Sequence, residues 1–144
     1  MRSLLLLIAL IAVAGTAVAR DESVDDLKAK VRNAQPQDRP GLCVQIAEHQ
    51  LRNADTLYRD GDIEKARAAV DDIIVYSQQA SDAATATKKH LKNVEIAVRK
   101  IAEKLRDVKR TLSIEDQPVV QHAVDRLEEM RTTLLKQMFS KEKK

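Results

Sequence analysis

A stripe of apolar and small side chains runs Ile63, Ala66, Val70, Ile73, Ser77, Ala80, Ala84, Thr87, Leu91, Val94, Val98, Ile101, Leu105, Val108, Leu112, in alternating steps of three and four without a slip. That is the heptad period, and it places these side chains along one face of a helix. No Gly or Pro interrupts residues 62–117. The pattern therefore predicts one long helix over about 63–112, roughly 75 Å if unbroken. Both ends of the stripe carry large knobs. Its middle, Ser77, Ala80, Ala84 and Thr87, is weak, which permits either close helix approach or a bend. Continuity is the expectation, because the alanines offset the poor helix propensity of Thr85 and Thr87. A break there would instead give a compact bundle.

Three further helices follow from the same kind of pattern. The first covers about 24–34, with Ser23 as N-cap, Asp25 and Asp26 in the dipole-favoured first turn, and Val24, Leu27, Val31 and Ala34 as its apolar face. Pro36 and Pro40 bracket the loop that ends it. The second covers about 42–59 through Val44, Ala47, Leu51, Ala54 and Tyr58, widened by Leu42, Ile46 and Leu57. Asp60-Gly61-Asp62 is a tight turn, with Gly61 suited to the left-handed position and Asp62 to the next cap. The last helix, about 114–140, has its seam at Val120, Ala123, Leu127, Met130, Leu134 and Met138. It starts either at Ser113 with Asp116 as a variant capping box, or at Gln117 with Pro118 in the first helical position. The predicted fold is all-α: an elongated antiparallel bundle of about four helices (24–34, 42–59, 62–112, 114–140), dominated by the long one.

The N-terminus reads as a signal peptide over residues 1–19. Arg2 opens it, Leu4–Ala14 is unbroken and apolar, and Ala17-Val18-Ala19 is a small-x-small cleavage site. The apolar run is shorter than the about 20 residues a bilayer span needs. The expected mature chain, residues 20–144, is a single helical domain exported to a periplasm or the medium, with no membrane span left after cleavage.

Composition fits a helical rod better than an enzyme core. The only aromatic residues are Tyr58, Tyr76 and Phe139. Charge is lopsided: residues 20–87 hold 9 basic and 13 acidic side chains, and residues 88–144 hold 15 and 9. Either two solvated faces happen to differ, or the basic half 88–144 meets an anionic partner such as an acidic protein, lipid headgroups or a cell-wall polymer. Nucleic acid is excluded by export and by the shortage of aromatic stacking groups.

No constellation of residues supports catalysis or a cofactor. His49, His90 and His122 fall on three different predicted helices without ligand-spaced partners, so no metal is expected. There is no Gly-rich phosphate loop and no nucleophile elbow. Asp71-Asp72 and Glu128-Glu129 are sequence neighbours that point apart on a helix, and Glu95, Arg99 and Glu103 read as surface ion pairs. Met130, Met138 and Phe139 are either ordinary core or an adaptable binding surface. Cys43, the only cysteine, is either a buried inert thiol or the half of an intermolecular disulfide.

Ala54, Leu57, Tyr58, Gly61, Asp62, Ile63, Ala66 and Val70 resemble the central part of a tetratricopeptide repeat. The resemblance implies a lone antiparallel helical hairpin, closely approached through small residues and turned by the glycine; no second copy follows at the repeat spacing. Leu112-Ser113-Ile114-Glu115-Asp116-Gln117 resembles the Leu-Thr-x-x-Gln motif of Spy-type periplasmic chaperones, with Ser for Thr, one extra residue before Gln, and one copy rather than two. That resemblance implies a holdase that shelters unfolded clients. The chain from 20 on also resembles small exported bacterial helical proteins.

Together these features predict a non-enzymatic exported interaction or scaffold protein. Its heptad seam, centred on Leu91, Val94, Val98, Ile101 and Leu105, would be shared with itself or with a protein partner.

Overall fold

A computed structural model describes residues 22–140 of the chain. The segment read as a signal peptide, 1–19, and the basic tail Lys141, Lys143 and Lys144 lie outside the described residues. Within them the protein is all-helical: α1 (Val24–Asn33), α2 (Arg39–Arg59), α3 (Ile63–Thr87), α4 (Leu91–Arg110) and α5 (Gln117–Phe139). No helix among the described residues is long and apolar enough to cross a membrane.

Local chemistry fixes most of the ends. Ser23 Oγ accepts from the Asp26 amide at 3.2 Å and caps α1. α2 starts at Arg39, three residues before the expected Leu42, with Pro40 in its first turn where a missing N–H is harmless. α2 ends in a Schellman turn. Gly61 is left-handed (φ 80°), its amide donates to Tyr58 O at 3.2 Å, and the Asp62 amide donates to Leu57 O at 2.9 Å. Asp62 then accepts from the Lys65 amide and caps α3. α5 begins at Gln117 with Pro118 next, and the Ser113 hydroxyl donates to Asp116 rather than capping the helix.

The expected helix over 63–112 is two helices, so the described residues form five rather than four. Lys88 (φ 57°) and His90 (φ 63°) are both left-handed and turn the chain between α3 and α4. Thr87 assists: its hydroxyl donates to Ala83 O at 2.8 Å and accepts from the Lys89 amide at 3.4 Å, an amide that a continuous helix would pair with a carbonyl. Magnitudes explain the outcome. Two left-handed non-glycine residues cost about 1–2 kcal/mol each. Burying Leu91, Val94, Val98, Ile101 and Leu105 against a second layer of helices yields about 1.5–3 kcal/mol per large side chain. Folding back wins wherever an extended helix would leave much of that face wet.

Side-chain contacts define the directions. α2 and α3 are antiparallel, with Gln50 Nε2 donating to Asp72 Oδ2 at 2.7 Å and Cys43 facing Gln79. α4 and α5 are antiparallel, with Lys109 Nζ at 2.5 Å from Gln121 Oε1 near one end and Arg131 Nε at 2.8 Å from Glu95 Oε1 near the other. The two hairpins lie side by side with like directions together. Arg67 meets Asp116 at the starts of α3 and α5 (3.0 Å), Arg126 meets Gln78 midway (3.5 Å), and Lys88 meets Gln137 at the ends (2.7 Å). α2 runs beside α4 in the same sense, and α2 does not touch α5. α1 lies on α2 and is pinned to α3 by Lys28, which pairs with Asp72 at 2.9 Å and stands 5.3 Å over the Tyr76 ring.

The core has two textures. On α2 and α3 it is rich in alanine, with Ala47, Ala54, Ala66, Ala69, Ala80 and Ala84 buried beside the larger Ile46, Val70 and Ile73. The α4 and α5 half is branched and larger: Val98, Ile101, Leu105, Val120, Val124, Leu127, Met130 and Leu134. Met130 belongs to this core, whereas Phe139 is exposed.

Candidate functional site

A groove of about 700 Å³ runs between α2 and α4. Its lining repeats with helical spacing on both walls: Glu48, Arg52, Asp55 and Arg59 from α2, and Lys100, Lys104, Asp107 and Thr111 from α4. Leu51, Ile101 and Val108 form an apolar floor. The floor residues are the outer edge of the core, with Ile101 and Val108 buried and Leu51 half-buried.

The charges on the rim are unequal in their freedom. Asp55 is held by Arg59, and Asp107 by Arg110 at 3.0 Å. Among the described residues Arg52, Lys100 and Lys104 make no ion pair, and all three are exposed. Glu48 is the one unpaired carboxylate beside them. The groove therefore offers an apolar floor under an excess of positive charge.

A further set of charges on α4 and α5 is engaged away from the groove. Glu95, only 7% exposed, accepts from Arg131 at 2.8 Å and lies 3.8 Å from Arg99. Arg99 continues to Glu103, while Arg131 and Arg106 both reach Glu128. This chain of six charges runs across α4 and α5, where opposite charges hold each other. Glu95 beside it raises the affinity of the Arg131 guanidinium for its proton, chiefly through that hydrogen bond.

The residues singled out from the sequence fall in different places. Leu91, Val94, Val98, Ile101 and Leu105 are at most 7% exposed and face the chain's own core. The seam is covered by α2, α3 and α5, and only Ile101 and Val94 reach the floors of surface grooves. An Asp at Val98 would bury an unpaired carboxylate and would report on folding before it reported on binding. Cys43 is 1% exposed, with its Sγ 3.9 Å from Gln79 Oε1. Burial pushes its thiol up to about 11, against a small lowering by Arg39, so it stays protonated and shielded at neutral pH. An intermolecular disulfide there requires the groove between α1, α2 and α3 to open. His49 lies on α2, His90 at the start of α4 and His122 on α5. Among the described residues no group of three or more His, Cys, Asp or Glu is arranged to hold a metal ion.

Arg52, Lys100 and Lys104 were not legible as a site in the sequence. Lys100 and Lys104 are four apart beside the stripe, a signal for a shared face. Nothing local indicated that Arg52 would stand opposite them. No protein-family model, curated protein or solved structure matches this chain.

Proposed function

We propose that the protein is an exported, non-enzymatic interaction module that binds an acidic amphipathic helix of a protein partner in the α2/α4 groove. The observation that carries this reading is the pairing of an apolar floor, Leu51, Ile101 and Val108, with the unpaired cations Arg52, Lys100 and Lys104 on its rim. A helix laid in such a groove buries one apolar face and presents its acidic flanks to the rim. Between Glu48 and Arg59 the α2 wall is about 16 Å long, room for three turns of a partner helix. A cell-wall polymer would satisfy the cations and leave the floor wet. Of the three carboxylates of the groove, Asp55 and Asp107 are tied to arginines, which leaves Glu48 without a second free carboxylate for paired acid–base work. Export rests on the signal-peptide pattern of residues 1–19.

The test is fluorescence anisotropy with a labelled acidic amphipathic helical peptide of three heptads, alongside its lysine-substituted and scrambled counterparts. The acidic peptide is expected to bind the chain 20–144 selectively, more weakly as salt rises. Arg52→Glu/Lys100→Glu/Lys104→Glu should lower its affinity by about tenfold or more with unchanged helical content. Equal binding of all three peptides, or no loss in the triple variant, would reject the groove as the site.

A further inference from the structure

We infer that the hairpins α2/α3 and α4/α5 exchange between two copies of this chain, with Lys88–His90 straightening so that α3 and α4 become one helix. Four observations converge on this connector, and none depends on the groove.

The connector is strained where it need not be. Lys88 and His90 both adopt left-handed backbone, at φ 57° and 63°. L side chains resist that region, and neither residue is the glycine that relieves it elsewhere in the chain at Gly61. Straightening removes both strains at once.

The sequence across the connector is that of a helix. Ala84, Thr87, Leu91 and Val94 keep the steps of three and four through the turn, and no Gly or Pro lies between them. A helix from Ile63 to Arg110, about 72 Å long, would therefore keep both halves of the stripe on one face. The α2/α3 turn, by contrast, is specified by Gly61 and by the cap at Asp62.

Helix ends at the connector are poorly capped. His90 gives α4 no side-chain capping hydrogen bond, and of the amides at the turn Lys89 bonds only the Thr87 hydroxyl at 3.4 Å. In a straight helix the last carbonyls of α3 receive the first amides of α4.

Finally, the interface that opens is one that two chains can restore. Each hairpin is internally complete, α2 on α3 and α4 on α5. What joins them is the contact of α3 with α5, of α2 with α4 and of α3 with α4, with Arg67–Asp116 and Arg126–Gln78 among its polar links. The α3/α5 and α2/α4 contacts can re-form between chains; straightening breaks the Lys88–Gln137 contact beside the hinge and separates α3 from the α4 of its own chain. Exchange of identical elements through a short hinge then costs little beyond the entropy of association. The dimer should accordingly accumulate at high concentration and after refolding, and should interconvert slowly, because the hairpins must separate first.

The experiment uses the chain 20–144, which carries every helix described. Size-exclusion chromatography with light scattering, after refolding at low and high concentration, is expected to give monomer and dimer in concentration-dependent ratio. Lys88→Gly/His90→Gly eases the left-handed turn and weakens the straight helix at two positions in each of two chains. It should lower the dimerisation constant about 100-fold or more. His90→Ala, which favours the helix and tolerates the left-handed region less, should raise it. Exchange is distinguished from simple docking by Arg67→Cys/Asp116→Cys in a Cys43→Ser background, joined with a short bismaleimide. In the dimer fraction the link must connect two chains on a denaturing gel; in the monomer it must close within one. A chain that stays monomeric under every refolding condition overturns the inference. So does a dimer that persists in the glycine variant, or one whose link closes within single chains.

Discussion

Ser77 is a buried hydroxyl at a position where the stripe calls for a methyl. It lies on α3 at 1% exposure and has no hydrogen-bond partner. A helical hydroxyl ordinarily relieves itself on the carbonyl one turn back. Thr87, Thr132 and Thr133 do so, donating to Ala83, Glu128 and Glu129 at 2.8, 3.0 and 3.1 Å. Leaving a hydroxyl buried and unpartnered costs about 1–3 kcal/mol. Ser77→Ala removes that cost and adds about 0.5 kcal/mol of helix propensity. Deleting one oxygen leaves a void of atomic size, worth about 0.3 kcal/mol at about 24 cal/mol per Å³. The expected result is a gain of about 1–3 kcal/mol, or about 4–12 °C in Tm for a domain of this length. Urea unfolding followed by far-ultraviolet circular dichroism measures it, with the slope of the transition unchanged between variants. Equal or lower stability in Ser77→Ala would mean that the hydroxyl is satisfied in solution, and would refute its description as a buried orphan.

Tyr58 presents the same case more mildly. Its hydroxyl is buried without a partner, and burial, then Asp116, makes it harder to ionise, so Tyr58→Phe should leave stability unchanged or raise it by up to about 1 kcal/mol; a loss above about 0.5 kcal/mol in urea unfolding would contradict this. Leu105, fully buried between α4 and α5, should cost about 3–5 kcal/mol as Leu105→Ala in the same assay, and a cost under about 1.5 kcal/mol would show that this half of the core is loosely packed. Cys43 couples stability to alkaline pH. Its thiol is raised from 9.0 to about 11, so its contribution is complete below about pH 9 and is lost as the pH climbs towards about 11, where the unfolded chain ionises first. The loss attributable to Cys43 is complete, at about 2–3 kcal/mol, only above about pH 11, so the difference between wild type and Cys43→Ala should change by about 1.5–2 kcal/mol between about pH 8.5 and about pH 10.5; an unchanged difference would show that the thiol is not buried in solution.

Much of the secondary structure was legible because helix periods and caps are local. Ser23, Gly61 and Asp62 act where the sequence placed them, and the apolar faces of α1, α2 and α5 point inward at Leu27, Ile46, Ala54, Leu127 and Leu134. α5 took the Pro118 start rather than the Ser113 one because a proline is tolerated in the first turn and disruptive in the second. The long helix was misjudged for a physical reason. A heptad pattern states which face of a segment is buried and is silent on what buries it. Residues 84–94 read identically whether α4 continues α3 or folds back beside it.

The groove belongs to the same category. Arg52 is in α2 and Lys100 and Lys104 are in α4, and only the fold-back at Lys88–His90 sets these helices side by side. The sequence by itself determined that the chain is helical, that Ser23, Gly61 and Asp62 make caps and a turn, and which side chains leave water, because each of those follows from interactions within a few residues. The tertiary structure alone decided the direction of α4, the parallel pairing of α3 with α5, and the rim of unpaired cations. Those depend on the sum of burial across helices far apart in sequence, set against two strained residues at one connector.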